Sequence, residues 1–115
     1  MATTDEHAGS PVRVVTDDTF EAEVLKSERP VLLEFTATWC GPCRMLAPIL
    51  KSIAEDESER LVVAALDVDA NPTTVQKYGV MAMPTLMVFR AGEPVKSVVG
   101  ARPKSQLMHE IEDVI

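Results

Sequence analysis

Two apolar runs constrain the fold more than anything else in the chain. Residues 31–36 (VLLEFT) and 61–68 (LVVAALDV) are hydrophobic on both faces rather than on alternate positions. A strand that borders water alternates, whereas one covered on both sides does not, so both runs read as strands in the middle of a sheet. The covering layers must come from the segments between them. At 115 residues the chain is one domain, and a domain of this size buries enough surface to fold without a metal or a disulfide framework.

The remaining segments supply those layers. Residues 12–15 form a short strand. Thr16, Asp17 and Asp18 offer N-caps for a helix carrying Phe20, Val24 and Leu25 on one face, ended by Glu28-Arg29-Pro30. Leu46, Ile49, Leu50 and Ile53 recur at helical spacing, with Pro48 inside the helix as an expected kink. Asn71-Pro72 reads as an N-cap followed by a first-position proline, and Gly79 as the C-cap of a helix over 72–78. Residues 85–90 and 95–99 pair as a hairpin around 91–93. Pro94 cannot donate to a ladder and marks the last strand as an edge. Leu107, Met108, Ile111, Val114 and Ile115 give a closing helix opened by Pro103. The predicted order is β-α-β-α-β-α-β-β-α, an α/β fold with a mixed sheet and helices on both faces. Residues 1–11 are expected to be a disordered tail and 12–115 the domain.

Composition narrows the function. Eighteen acids against eleven bases give a net charge of −7, and the bases are scattered, which argues against nucleic acid as a partner. No apolar run is long enough to span a membrane. The first residues lack a basic segment followed by an apolar one, so the expected compartment is the cytoplasm. Structural disulfides are rare there, and a Cys-x-x-Cys pair is more often catalytic or metal-binding.

The chain's only two cysteines form such a pair, Trp39-Cys40-Gly41-Pro42-Cys43, between the 31–36 strand and the 46–53 helix. Zinc fails on ligand count: four donors are needed, no second pair exists, His7 lies in the tail, and His109 lies opposite the apolar stripe of the last helix. Two unreactive neighbouring thiols remain compatible with Cys-x-x-Cys alone, but the full pentapeptide at a strand–helix junction argues against them. Cys40 opens the helix, where free N–H groups and the dipole favour a thiolate and lower its pKa. Cys43 lies one turn in and is expected to be more buried. Cys40 would attack a substrate disulfide, and Cys43 would then resolve the mixed disulfide. Arg44 adds a positive charge just beyond the pair.

The chain resembles the thioredoxin family over residues 12–115. The resemblance rests on residues 39–44, Pro48, Asp69-Ala70-Asn71-Pro72, Lys77-Tyr78-Gly79-Val80, Met83-Pro84-Thr85 and Val99-Gly100-Ala101. It implies the thioredoxin fold, a central mixed five-stranded sheet flanked by four helices. It implies a thiol–disulfide oxidoreductase that reduces protein disulfides through a Cys40–Cys43 disulfide. No cofactor or metal would be bound, and a monomer is expected. Thioredoxin reductase would supply electrons from NADPH, and targets would include reductases and peroxiredoxins. The resemblance also implies a cis Met83–Pro84 peptide facing the dithiol. Trp39, Gly41, Pro42, Met83, Val99, Gly100 and Ala101 would form an apolar substrate-binding rim, with the Met83 backbone pairing with an extended substrate segment.

Three positions depart from the family. Glu34 stands where thioredoxins usually carry a buried aspartate. Burial should raise its pKa, and the expected role is proton acceptor for Cys43, through water. Thr36 replaces a tryptophan, and Ala65 replaces a lysine that often neighbours the acid. These changes leave room for a specialised thioredoxin-like protein with another electron donor. A binding module that uses the rim without turnover is a reading of a different class. An oxidase or isomerase is disfavoured by Gly41-Pro42 and by the expected compartment.

Overall fold

The computed structural model describes residues 11–115; apart from Pro11, the tail expected over 1–11 lies outside the described residues. Five strands, β1 (Arg13–Val14), β2 (Val31–Thr36), β3 (Val62–Asp67), β4 (Thr85–Arg90) and β5 (Glu93–Val99), form one sheet in the order β1-β3-β2-β4-β5. β1, β3 and β2 run parallel, while β4 is antiparallel to β2 and β5 to β4. The two runs apolar on both faces are therefore neighbours near the centre.

Alternation along the strands sends side chains into two cores. Leu32, Ala65, Leu86 and Val88 pack with Leu46, Leu50 and Ile53 of α1 (Gly41–Asp56) and with Leu107 and Ile111 of α3 (Lys104–Ile111). Val31, Leu33, Phe35 and Phe89 pack on the other face with Phe20 and Val24, and with Tyr78 at the end of α2 (Pro72–Tyr78). Phe20, Tyr78 and Phe89 form an aromatic trio with centroids 5.2–5.6 Å apart. α1 runs unbroken through Pro48, whose side is exposed, and a one-turn 3-10 segment (Glu112–Val114) closes the chain.

The helix caps differ from the local reading. The first helix is a single π-helical turn, Glu21–Leu25, that stops before Glu28 and has no side-chain cap. Asp17 caps α2 instead: its carboxylate accepts from the Thr73 and Thr74 amides at 3.1 and 2.9 Å and from the Thr74 hydroxyl at 2.7 Å. Asn71 makes no capping bond to its own helix. Its side chain accepts from the Asp17 amide at 2.7 Å and donates to the Asp67 carbonyl at 2.9 Å. A cap from 57 residues away displaces the local one because it serves two amides and a hydroxyl together.

Desolvation pushes the Asp17 carboxyl up, but the Thr74 and Thr73 bonds outweigh it and hold the group below its ordinary 3.8. A depressed acid stabilises the fold above its unfolded pKa, and that contribution is lost as pH falls through the folded value. Asp17→Ala is therefore expected to lower the urea midpoint at neutral pH. It should also reduce the loss of stability expected of the wild type below about pH 3.8. Urea melts at pH 7 and pH 3 measure both effects.

The hairpin is tighter than expected. Arg90 pairs with Glu93, so the loop is only Ala91-Gly92, and β5 contains Pro94. β5 is an edge strand, which tolerates the missing donor, and the ladder shifts register between Val88 and Phe89. Ala91 sits at φ 53° and Gly92 at φ 82°, the conformation that Asn-Gly supplies at low cost. Ala91→Asn is expected to raise stability by about 1 kcal/mol, read from the shift in thermal midpoint.

Candidate active site

β2 ends at Thr36, and the chain turns through Ala37-Thr38-Trp39 into α1. The Cys40 amide donates to the Ala37 carbonyl at 3.2 Å, which closes the turn. Cys40 is the N-cap of α1, with extended backbone (φ −97°, ψ 108°). Its Sγ accepts the Cys43 amide at 3.3 Å, so one of the free N–H groups of the helix end is aimed at this sulfur. Cys40 and Cys43 are joined as a disulfide with Cα atoms 5.3 Å apart.

Both cysteines are buried, Cys40 at 4% and Cys43 at 2% exposure. The expected contrast in burial is slight; their places on the helix separate them instead. Gly41 and Pro42 are exposed over the pair. A Cβ on Gly41 would meet nothing within 4 Å, so packing within the chain does not require glycine there.

The cysteines form a small cluster with Ala37, against which Val68 and Met83 pack. The Met83–Pro84 peptide is cis, and Pro84 is buried. The Thr85 hydroxyl donates to the Ala82 carbonyl at 2.6 Å and ties down this turn. Val99, which pairs with Thr85, is 56% exposed; Ala101 is exposed and Gly100 half-buried. The Gly100 amide donates to the Pro84 carbonyl at 2.9 Å, which joins this segment to the Met83-Pro84 turn.

Trp39 is 61% exposed, an unusual position for an indole, and its Nε1 donates to Asp69 at 2.8 Å. Asp69 is in turn fixed by its backbone N–H, which donates to the Asp67 carboxylate at 2.9 Å. The sequence marked Asp69 only as part of a family motif, and no local spacing links it to an indole 30 residues away. Arg44 folds back to the Thr38 carbonyl, so its guanidinium braces the turn. Met45 and Met81, 72% and 93% exposed, were not singled out from the sequence.

Glu34 is completely buried in β2, in register with Ala65 of β3 and Leu86 of β4. It shares a face with Leu32, the face covered by α1. Ala65 thus borders the acid, and Thr36 is half-buried at the end of the same strand. His109 is exposed on α3. Among the described residues no helix is long and apolar enough to cross a membrane.

A disulfide at a helix N-terminus, flanked by a cis-proline turn, can open, exchange and close again. The thioredoxin family model matches residues 11–113. A thioredoxin of Mycobacterium tuberculosis (strain ATCC 25618 / H37Rv) is 47% identical over 112 residues, 97% of this chain and 96% of that protein. A thioredoxin of Streptomyces clavuligerus is 56% identical over 94 residues, 82% of this chain and 87% of that one. The bifunctional thioredoxin reductase/thioredoxin of Mycobacterium leprae (strain TN) is 46% identical over 114 residues, 99% of this chain and 25% of that protein. With its mixed five-stranded sheet and its Cys40–Cys43 pair, the chain belongs to the thioredoxin family of thiol–disulfide oxidoreductases.

Proposed function

We propose that this protein works as a reductant of protein disulfides, with Cys40 as nucleophile and Cys43 as resolving thiol. The observation that carries the assignment is the Cys43 amide aimed at Cys40 Sγ at the start of α1. When the dithiol is open, that N–H and the helix dipole favour a thiolate on Cys40. The thiolate attacks one sulfur of the substrate disulfide and expels the other as a thiolate. Cys43 then loses its proton and attacks Cys40, forming the Cys40–Cys43 disulfide and releasing the second substrate thiol. Two electrons pass from the dithiol to the substrate.

Glu34 is the proton acceptor for Cys43, through water. Trp39, Gly41, Pro42, Met83, Pro84, Val99, Gly100 and Ala101 form the surface on which a substrate segment docks. The exposure of Trp39 and Val99 and the packing of Met83 against the dithiol cluster support this reading. Gly41 faces open space, with nothing within 4 Å of where a Cβ would stand.

Thioredoxin reductase is the electron donor, with NADPH as the source. The Mycobacterium leprae relative, whose name joins a reductase to a thioredoxin, supports the pairing. The protein acts as a cytoplasmic monomer on disulfide-containing proteins such as reductases and peroxiredoxins. Residues 12–115 are the working domain, and 1–11 are a tail outside it.

The test is insulin reduction coupled to NADPH and the host's thioredoxin reductase. Turnover with both is expected. Turnover with dithiothreitol but not with the reductase would keep the chemistry and reject the donor.

A further inference from the structure

Arg102 and Glu110 lie outside the dithiol, yet they hold its rim in place. The last ladder pair of the hairpin is Thr85 with Val99, so the carbonyls beyond it need donors from elsewhere. Arg102 supplies them: its Nη1 donates to the Val99 carbonyl at 2.7 Å and to the Gly100 carbonyl at 3.2 Å. Its Nε lies 3.0 Å from the Glu110 carboxylate, to which Gln106 also donates at 3.3 Å. The two side chains are 27% and 29% exposed, more sheltered than the Arg13–Glu23, Lys26–Glu21 and Arg60–Glu112 pairs.

Gly100 is therefore held from both sides. Its amide is bonded to the Pro84 carbonyl, and its own carbonyl to Arg102. Its φ of 98° suits glycine, and a Cβ there would sit 3.5 Å from the Arg102 guanidinium. Glu110 rides on α3, which Leu107 and Ile111 anchor in the core. The clamp thus ties the loop to a helix seated in the core. The planar fork serves the two carbonyls with Nη1 and the carboxylate with Nε, whereas a lysine ammonium has a single nitrogen for all three acceptors.

We propose that Arg102 and Glu110 are positioning residues that keep the Val99–Ala101 segment preformed for protein disulfides. They act on docking of a peptide segment and not on the sulfur chemistry. This rests on the substrate-rim reading above.

The test compares two probes on the pre-reduced protein: insulin, which offers a peptide segment, and bis(2-hydroxyethyl) disulfide, which offers none. Arg102→Met is expected to lower the second-order rate constant with insulin by about five- to tenfold. The small-disulfide rate should stay within about twofold, by the same reasoning that docking contacts and not chemistry are lost. The reduction potential should not move, and hydrogen exchange at the Gly100 amide should accelerate. Arg102→Lys should fall between the two, and Glu110→Gln should give a smaller effect of the same sign. If Arg102→Met does not fold, Glu110→Gln carries the comparison. An insulin rate equal to wild type, or an equal fall with both probes, would overturn the proposal. Failure of the reduced wild type with both probes would remove the dithiol reading itself, and the proposal with it.

Discussion

Cys40→Ser is expected to abolish insulin reduction, with kcat/KM falling by about a thousandfold or more, because the attacking sulfur is gone. Cys43→Ser should behave differently. Cys40 can still attack, but nothing resolves the product, so one equivalent of substrate stays bound through a disulfide and is seen by mass spectrometry as an adduct on Cys40. The contrast decides the roles, which exposure does not: the two cysteines are 4% and 2% exposed. Position on α1 supports the proposed roles, since Cys40 is the N-cap whose sulfur receives the Cys43 amide. An adduct trapped by Cys40→Ser would reverse it. The same variant separates enzyme from binding module, because partner binding and biological function both surviving the loss of Cys40 would favour the module.

The central strands and the long helix were legible because their signals are local. Residues 31–36 and 61–68 are apolar on both faces only where both faces are covered, and Leu46, Leu50 and Ile53 lie on one side of α1. What escaped the sequence depends on partners far along the chain. Asp17 stands beside a plausible helix start, yet its carboxylate reaches Thr73 and Thr74, 56 and 57 residues on. Asn71 carries the right side chain for a cap and spends it on bracing Asp17 and Asp67. Trp39 finds Asp69 across a gap of 30 residues.

The dithiol could be read from its pentapeptide and its place between strand and helix. The turn at Met83-Pro84 could be reached only through family resemblance, because nothing in composition or spacing states the isomer of a peptide bond. Arg102 lies within three residues of the carbonyls it holds, but no periodicity distinguishes it from an ordinary surface arginine.

Glu34→Gln is expected to slow release of substrate from the mixed disulfide by about ten- to a hundredfold, as loss of a general base does, while the first attack by Cys40 is unchanged. Stopped-flow Trp39 fluorescence resolves the two steps, since the indole is the chain's only one and lies beside Cys40. The substitution keeps the size and shape of a side chain that is fully buried between Ala65 and Leu86, so a packing role alone would leave the rate intact. Glu34→Asp, which restores the family's usual acid one methylene shorter, should retain the rate within a few-fold. Glu34→Leu, which places apolar volume on a face lined by Leu32, Leu46 and Leu50, should be as slow as Glu34→Gln, because it too lacks the base. A wild-type resolution rate in Glu34→Gln would assign the proton to another acceptor and leave Glu34 with a purely structural place beneath α1.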